Sequence, residues 1–163
     1  MPKPVRLYKL VALGGTFDVL HAGHRQLLSD AFNLGDGVLI GVTSDRFVAS
    51  LDKNHRIRSF SSRVRDLKTF LRAQGWLSRA TVAALRDPYG PAARRKKLQA
   101  LIVSRATVAS ARELNRRRRE NRLQPVDLHI VDLVRAGDGK PISTTRIKKG
   151  EIDAQGRVLK TPR

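Results

Sequence analysis

The stretch Leu7-Tyr-Lys-Leu-Val-Ala-Leu-Gly-Gly-Thr-Phe-Asp-Val-Leu-His-Ala-Gly-His24 decides how the rest of the chain is read. Its first half is an apolar run with little period-2 alternation that ends in Gly14-Gly15, as expected of a strand buried on both faces of a parallel sheet. Its second half leads into a helix. Over residues 22–32, Leu27, Leu28, Ala31 and Phe32 recur on one side at helical spacing, and Gly35 stands just past the end as a C-cap. Residues 38–42 are a second buried strand, so the first 42 residues read as one strand–helix–strand unit with a right-handed crossover.

Working outward, the alternation continues. Residues 43–60 are polar and basic without a clean period, a loop or short helix at the sheet edge. Residues 61–74 form a helix with an N-cap serine, Val64, Leu67, Phe70 and Leu71 on one face, and Gly75 closing it. Strands follow at 80–85, 100–103 and 127–131, with a helix over 106–121. This pattern predicts an α/β fold, a Rossmann-like, doubly wound, mostly parallel five-stranded sheet. A single domain is expected over 1–163. The polar stretch from 137 holds a short helix over 144–148 capped by Ser143, and from about 150 it reads as a tail.

Composition narrows the chemistry. The 163 residues carry 33 Lys+Arg against 14 Asp+Glu, a formal charge of +19, and no cysteine. Disulfides, thiolate metal sites and cysteine nucleophiles are therefore excluded. No apolar run approaches the roughly 18 residues of a membrane span. Lys9 interrupts the only apolar stretch near the N-terminus, which argues against a secretory signal and for the cytoplasm. The charge calls for an anionic partner: nucleic acid, a membrane surface or a phosphate-rich small molecule. Residues 86–122 hold 12 Lys+Arg and only Asp87, Glu113 and Glu120 as acids. The consecutive Arg116 to Arg119 project all round a helix, and few aromatics are interleaved, so any nucleic-acid contact would be nonspecific.

The candidate site is the hand-over from first strand to first helix. In an open α/β sheet ligands bind at the carboxyl ends of the strands, and a helix N-terminus there presents free N–H groups to phosphate. His21 and His24 are three apart on the first turn, Gly23 leaves room between them, and Gly14, Gly15 and Thr16 let backbone come close. Asp18 is the nearest carboxylate, but an aspartate in such a turn serves as cap or turn former, so no metal site is assigned. Trp76, Phe47 and Phe60 are either core or flank a bound substrate.

GTFD followed by HxGH resembles the signature of the HxGH nucleotidyltransferase superfamily. About 120 residues later, Ile142-Ser-Thr-Thr-Arg-Ile147 is similar to that superfamily's second motif. Within it, the chain resembles the archaeal-type phosphopantetheine adenylyltransferases along nearly its whole length: Thr43-Ser-Asp45, residues 53–63, Asp87 with Gly90-Pro91, Ile102-Val-Ser104, Thr107 with Asn115 and Arg118, Asp138-Gly139, and ISTTRIKKGEID from Ile142 to Asp153. It departs from the family at Val19, where a proline is common, and at Ser104-Arg-Ala-Thr107, which lacks the usual Pro-Glu pair.

The resemblance implies the nucleotidyltransferase fold and in-line attack by the phosphate of 4′-phosphopantetheine on the α-phosphate of ATP. The products would be dephospho-coenzyme A and pyrophosphate, with Mg2+ carried by ATP. It further implies that His24 and Thr16 serve the α-phosphate, and that His21 serves the triphosphate beside Gly14, Gly15, Phe17 and Gly23. Ser143, Thr144, Thr145 and Arg146 would hold the β- and γ-phosphates. Lys53 would bridge nucleophile and α-phosphate, and Thr16, Lys53 and Asp87 would face the acceptor. Two alternatives stay open: a cytidylyltransferase or an FMN or NMN adenylyltransferase of the same superfamily, and a basic nucleic-acid-binding module without catalysis.

Overall fold

The computed structural model describes residues 2, 4–51 and 55–159. Strand β1 (Tyr8–Gly15) is followed by α1 (Ala22–Leu34), β2 (Gly35–Thr43), α2 (Asp45–Ser50), α3 (Phe60–Ala73), β3 (Ala80–Leu85), β4 (Ala100–Ser104), α4 (Val108–Glu120), β5 (Asp127–Val131) and α5 (Thr144–Lys148). All strand pairs are parallel, in the order β3-β2-β1-β4-β5. The chain thus winds from β1 through β2 to β3, then crosses to β4 on the other side of β1. The switch point lies between β1 and β4, where their carboxyl ends open a crevice.

Burial on both faces explains the missing alternation in β1 and β2. Val11, Leu13, Val38 and Ile40 pack with Leu28, Phe32, Leu67 and Leu71 under α1 and α3. Ala12 and Leu39 point the other way, joining Leu101, Val103, Ala111 and Leu114 under α4. Trp76 and Phe60 belong to the α1–α3 core, Trp76 stacking on Phe32 with ring centroids 4.7 Å apart.

Three expectations change. Gly35 caps α1, its N–H donating to the Ala31 carbonyl, but with φ −114° and ψ 140° it already belongs to β2. What demands glycine is closeness: a Cβ there would lie 2.7 Å from a Val11 methyl. The serine that caps α3 is Ser59, whose hydroxyl accepts from the Ser62 N–H, two residues earlier than periodicity indicated. The stretch read as a tail from 150 is built into the fold as far as Leu159. Ile152 is fully buried with Ala136 and Ile142 against Ala22, and the Ala154 carbonyl accepts from the Ala22 N–H at 2.9 Å. Three apolar residues spread over seventeen positions leave no periodic trace.

Candidate active site

The turn from β1 to α1 is forced into a sharp path by Phe17. Its ring is buried in the core while its backbone sits at φ +53°, a left-handed conformation that costs a non-glycine residue roughly 1–3 kcal/mol and is retained where the surroundings over-determine it. The ring also flanks His24, with centroids 5.0 Å apart.

The first turn of α1 has no open backbone donors of the kind expected for phosphate. The Ala22 N–H is taken by Ala154, and those of Gly23 and His24 are taken by Nδ1 of His21 at 3.1 and 3.4 Å. His21 is the helix N-cap. Because Nδ1 accepts from backbone N–H groups, it carries the lone pair, and the neutral ring bears its proton on Nε2. The positive end of the helix is thereby passed through the imidazole to an Nε2–H donor.

His24 is the reverse. Its Nδ1 lies 2.8 Å from the Val19 carbonyl oxygen, which can only accept, so Nδ1 holds the proton and Nε2 the lone pair. The two rings stack at 3.8 Å between centroids and 20° between planes. Gly23 makes this possible, since a Cβ there would stand 2.9 Å from the His21 ring. Burial, then the neighbouring His24, push the His21 pKa down to about 3. Burial pushes that of His24 down to about 4, against the opposing pull of the Val19 carbonyl. Both rings are neutral near pH 7.

Two cavities flank this turn. One, about 250 Å³, lies over the carboxyl ends of β1, β2 and β4 and is largely apolar, with Gly14, Gly15, Phe47, Leu85, Tyr89 and Leu114 in its wall. The other, about 130 Å³, is lined by His21, His24, Ser104, Asp132 and Ile142. Of the aromatics singled out in the sequence, Phe47 alone lines the larger cavity. Asp87 does not: its Oδ1 accepts the N–H groups of Tyr89 and Gly90, both at 2.8 Å, and so shapes the loop that forms the wall.

At the other motif, the Ser143 hydroxyl caps α5 by accepting from the Arg146 N–H. The Arg146 guanidinium is spent on Asp138, Glu151 and the Pro141 carbonyl, so it braces residues 138–151 rather than standing open to a ligand. Thr145 Oγ1 is 3.2 Å from Nε2 of His55, a residue that carried no signal in the sequence. Lys53 lies outside the described residues.

The polar frame behind the site was also not legible. Arg63 is fully buried and donates to the carbonyls of Thr16 and Arg58, to Thr43 Oγ1 and to Asp45. Asp18, almost as buried, pairs with Arg58 and Lys148. Burial raises its pKa, but the hydrogen bonds from Lys148 and Arg58 outweigh this and hold the carboxyl below its ordinary value. It is thus an ionised anchor rather than a cap. Among the described residues no cluster of three or more His, Asp or Glu side chains could hold a metal ion.

The arginine run of α4 does not form one nucleic-acid face. Arg118 points inward, fully buried, donating to the carbonyls of Ala92, Arg95 and Gln124. Arg116 is neutralised by Glu113 and Glu120, and Arg117 lies over the Tyr89 ring at 4.1 Å. No helix among the described residues is long and apolar enough to cross a membrane.

Comparison with known proteins agrees with this geometry. Residues 12–150 match the cytidylyltransferase-like family. The phosphopantetheine adenylyltransferase of Methanothermobacter thermautotrophicus is 45% identical over 155 residues, covering 95% of this chain and 92% of that protein. That of Methanopyrus kandleri is 39% identical over 92% of this chain and 94% of its own. A solved structure of an Archaeoglobus fulgidus protein of unknown function, 31% identical, superposes with a TM-score of 0.66 over 75% of this chain and 88% of its own. The chain is therefore a member of the phosphopantetheine adenylyltransferase family, within the cytidylyltransferase-like fold.

Proposed function

We propose that this chain transfers the adenylyl group of ATP to the phosphate of 4′-phosphopantetheine, giving dephospho-coenzyme A and pyrophosphate. The observation that carries the reading is the stacked histidine pair of opposite tautomers, which lines the smaller cavity on the other flank of the turn from the largely apolar one, in a chain 45% identical to a protein of that name. The mostly apolar wall of the larger cavity supports an acceptor with an aliphatic arm, and with the 45% identity this favours phosphopantetheine over the other acceptors of the superfamily.

The chemistry needs no general base. A phosphomonoester, with its second pKa near 6, is already largely a dianion at neutral pH. What limits the reaction is bringing two anions together in line and spreading the charge that develops on the five-coordinate phosphorus. Neutral His21 donates Nε2–H to the triphosphate. Neutral His24 offers only a lone pair, so it takes up a proton as the phosphates raise its pKa, and then donates Nε2–H to the α-phosphate and the transition state. The Thr16 backbone and the hydroxyls of Ser143, Thr144 and Thr145 complete the cradle, and the role of bridging the nucleophile and the α-phosphate is assigned to Lys53. Magnesium enters as MgATP, held by phosphate oxygens and water rather than by a protein cage. ATP and the acceptor as substrates support a cytoplasmic location for this activity.

The test is pyrophosphate release from MgATP with and without 4′-phosphopantetheine, beside CTP and FMN controls, in the wild type and His24→Ala. Release that requires both ATP and phosphopantetheine, and drops on the order of 100- to 1,000-fold in the variant, is expected, as for loss of one oxyanion donor. Release with CTP or FMN instead would reassign the substrate.

A further inference from the structure

Asp18 was expected only to shape the turn, yet its carboxylate joins three separate parts of the site. It is 1% exposed. Oδ1 accepts from the backbone N–H and Nε of Arg58 at 3.1 and 3.2 Å, and the Arg58 guanidinium also donates to the Asp18 carbonyl. Oδ2 faces the ammonium of Lys148, on the last turn of α5. That ammonium simultaneously donates to the Arg56 carbonyl. Three residues earlier on α5, Thr145 meets His55. Residues 55–58 are therefore held to α5 at two points, and Asp18 grips both partners from below.

Each joined piece belongs to a different side of the reaction. The β1–α1 turn carries His21 and His24. Helix α5 carries the hydroxyls assigned to the β- and γ-phosphates. Residues 55–58 form the return from α2, whose Phe47 lines the large cavity, to α3. Both carboxylates of the arrangement are compensated, since Arg58 also pairs with Asp66, which Arg65 approaches as well. A buried carboxylate with its cations removed would be strongly unfavourable, so the three pieces are held as a unit.

We propose that Asp18 and Lys148 are a positioning pair for the transfer: their contact sets α5 against residues 55–58 and so aligns the triphosphate with the incoming acceptor phosphate. This rests on the adenylyl-transfer reading above. Alignment differs from binding, because each substrate still meets its own contacts when the pair is broken while the reacting atoms lose their in-line approach.

The experiment compares Asp18→Asn, Lys148→Met, the double variant and Lys148→Arg by steady-state kinetics and by amide hydrogen exchange. Each single change should lower kcat by roughly tenfold or more with KM for ATP and for 4′-phosphopantetheine shifted less than about threefold. The double variant should be no worse than the poorer single one, and Lys148→Arg should recover most of the rate. In Lys148→Met the amides of residues 55–59 should exchange about tenfold faster. Should Asp18→Asn fail to fold, Lys148→Met still decides, since its side chain is partly exposed. Single effects that multiply, or unchanged kcat with unchanged exchange, would overturn the pair. If the wild type transfers nothing to any acceptor, the reading of the reaction falls, and the exchange of residues 55–59 alone decides the pair.

Discussion

The first turn of α1 and the segment 134–159 meet at the hydrogen bond from Ala22 to Ala154, but they are held in opposite ways. The turn is half-buried and, apart from the exposed Arg25, carries no ionised group. Its donors are absorbed by one imidazole and one carbonyl, and its two histidines are neutral. The segment rests on three buried apolar residues and a set of ion pairs, Arg146 with Asp138 and Glu151, and Lys148 with Asp18. The turn is thus fixed by covalent nearness and steric fit, and the segment by charges that must find each other across the chain. The two regions should accordingly fail in different ways.

The largest expected effect is on the segment. Ile152→Ala removes the one fully buried side chain of its small cluster and should cost about 2–5 kcal/mol. Urea denaturation should show it, and a loss under about 1 kcal/mol would mean that the ion pairs alone hold the segment. On the turn, Gly23→Ala puts a methyl where the His21 ring lies and should lower kcat/KM on the order of 100-fold, as for a displacement of about 1 Å, with little change in the urea midpoint. Equal losses of stability and activity would make the turn as soft as the segment.

A smaller effect follows from the neutral rings. Unfolded histidines titrate near 6.5, while His21 and His24 in the fold are pushed down to about 3 and about 4. Below pH 6.5 the unfolded chain therefore binds more protons, and stability should fall as pH drops from about 6.5 toward 4. A His21→Asn, His24→Asn double variant keeps a capping oxygen and a donor for Val19 and should lose that slope; urea midpoints at pH 7 and 5 measure it. The smallest expected effect is Arg116→Gln, an exposed pair on α4, at under about 0.5 kcal/mol by the same measurement. A larger change would show that exposed ion pairs contribute to the fold alongside the buried ones.

The turn could be read from the sequence because strand, glycines, histidines and helix are contiguous there, and the sheet followed because each buried strand announces itself as an apolar run. The tautomers could not be read, since they depend on the Gly23 and His24 N–H groups and the Val19 carbonyl, which only the folded backbone brings to the rings. Nor could Asp18, whose partners stand 40 and 130 positions away. Arg118 was within reach: Ala111, Leu114, Asn115 and Arg118 share the buried phase of α4, but four consecutive arginines hid which one turned inward. The local partners of Asp87 and Arg146 could not be read either: a carboxylate beside free N–H groups and a guanidinium between two acids are satisfied locally before any substrate arrives.

The bond between Ala22 and Ala154 also sets an order of events during synthesis. A ribosome making this chain delivers His21 and His24 early and the carbonyl that completes their turn 130 or more residues later. The sheet can assemble while the β1–α1 turn still lacks its last partner, so a nascent or prematurely terminated chain should be folded in its core before that turn is complete. Activity is then a late readout of translation having passed Ala154.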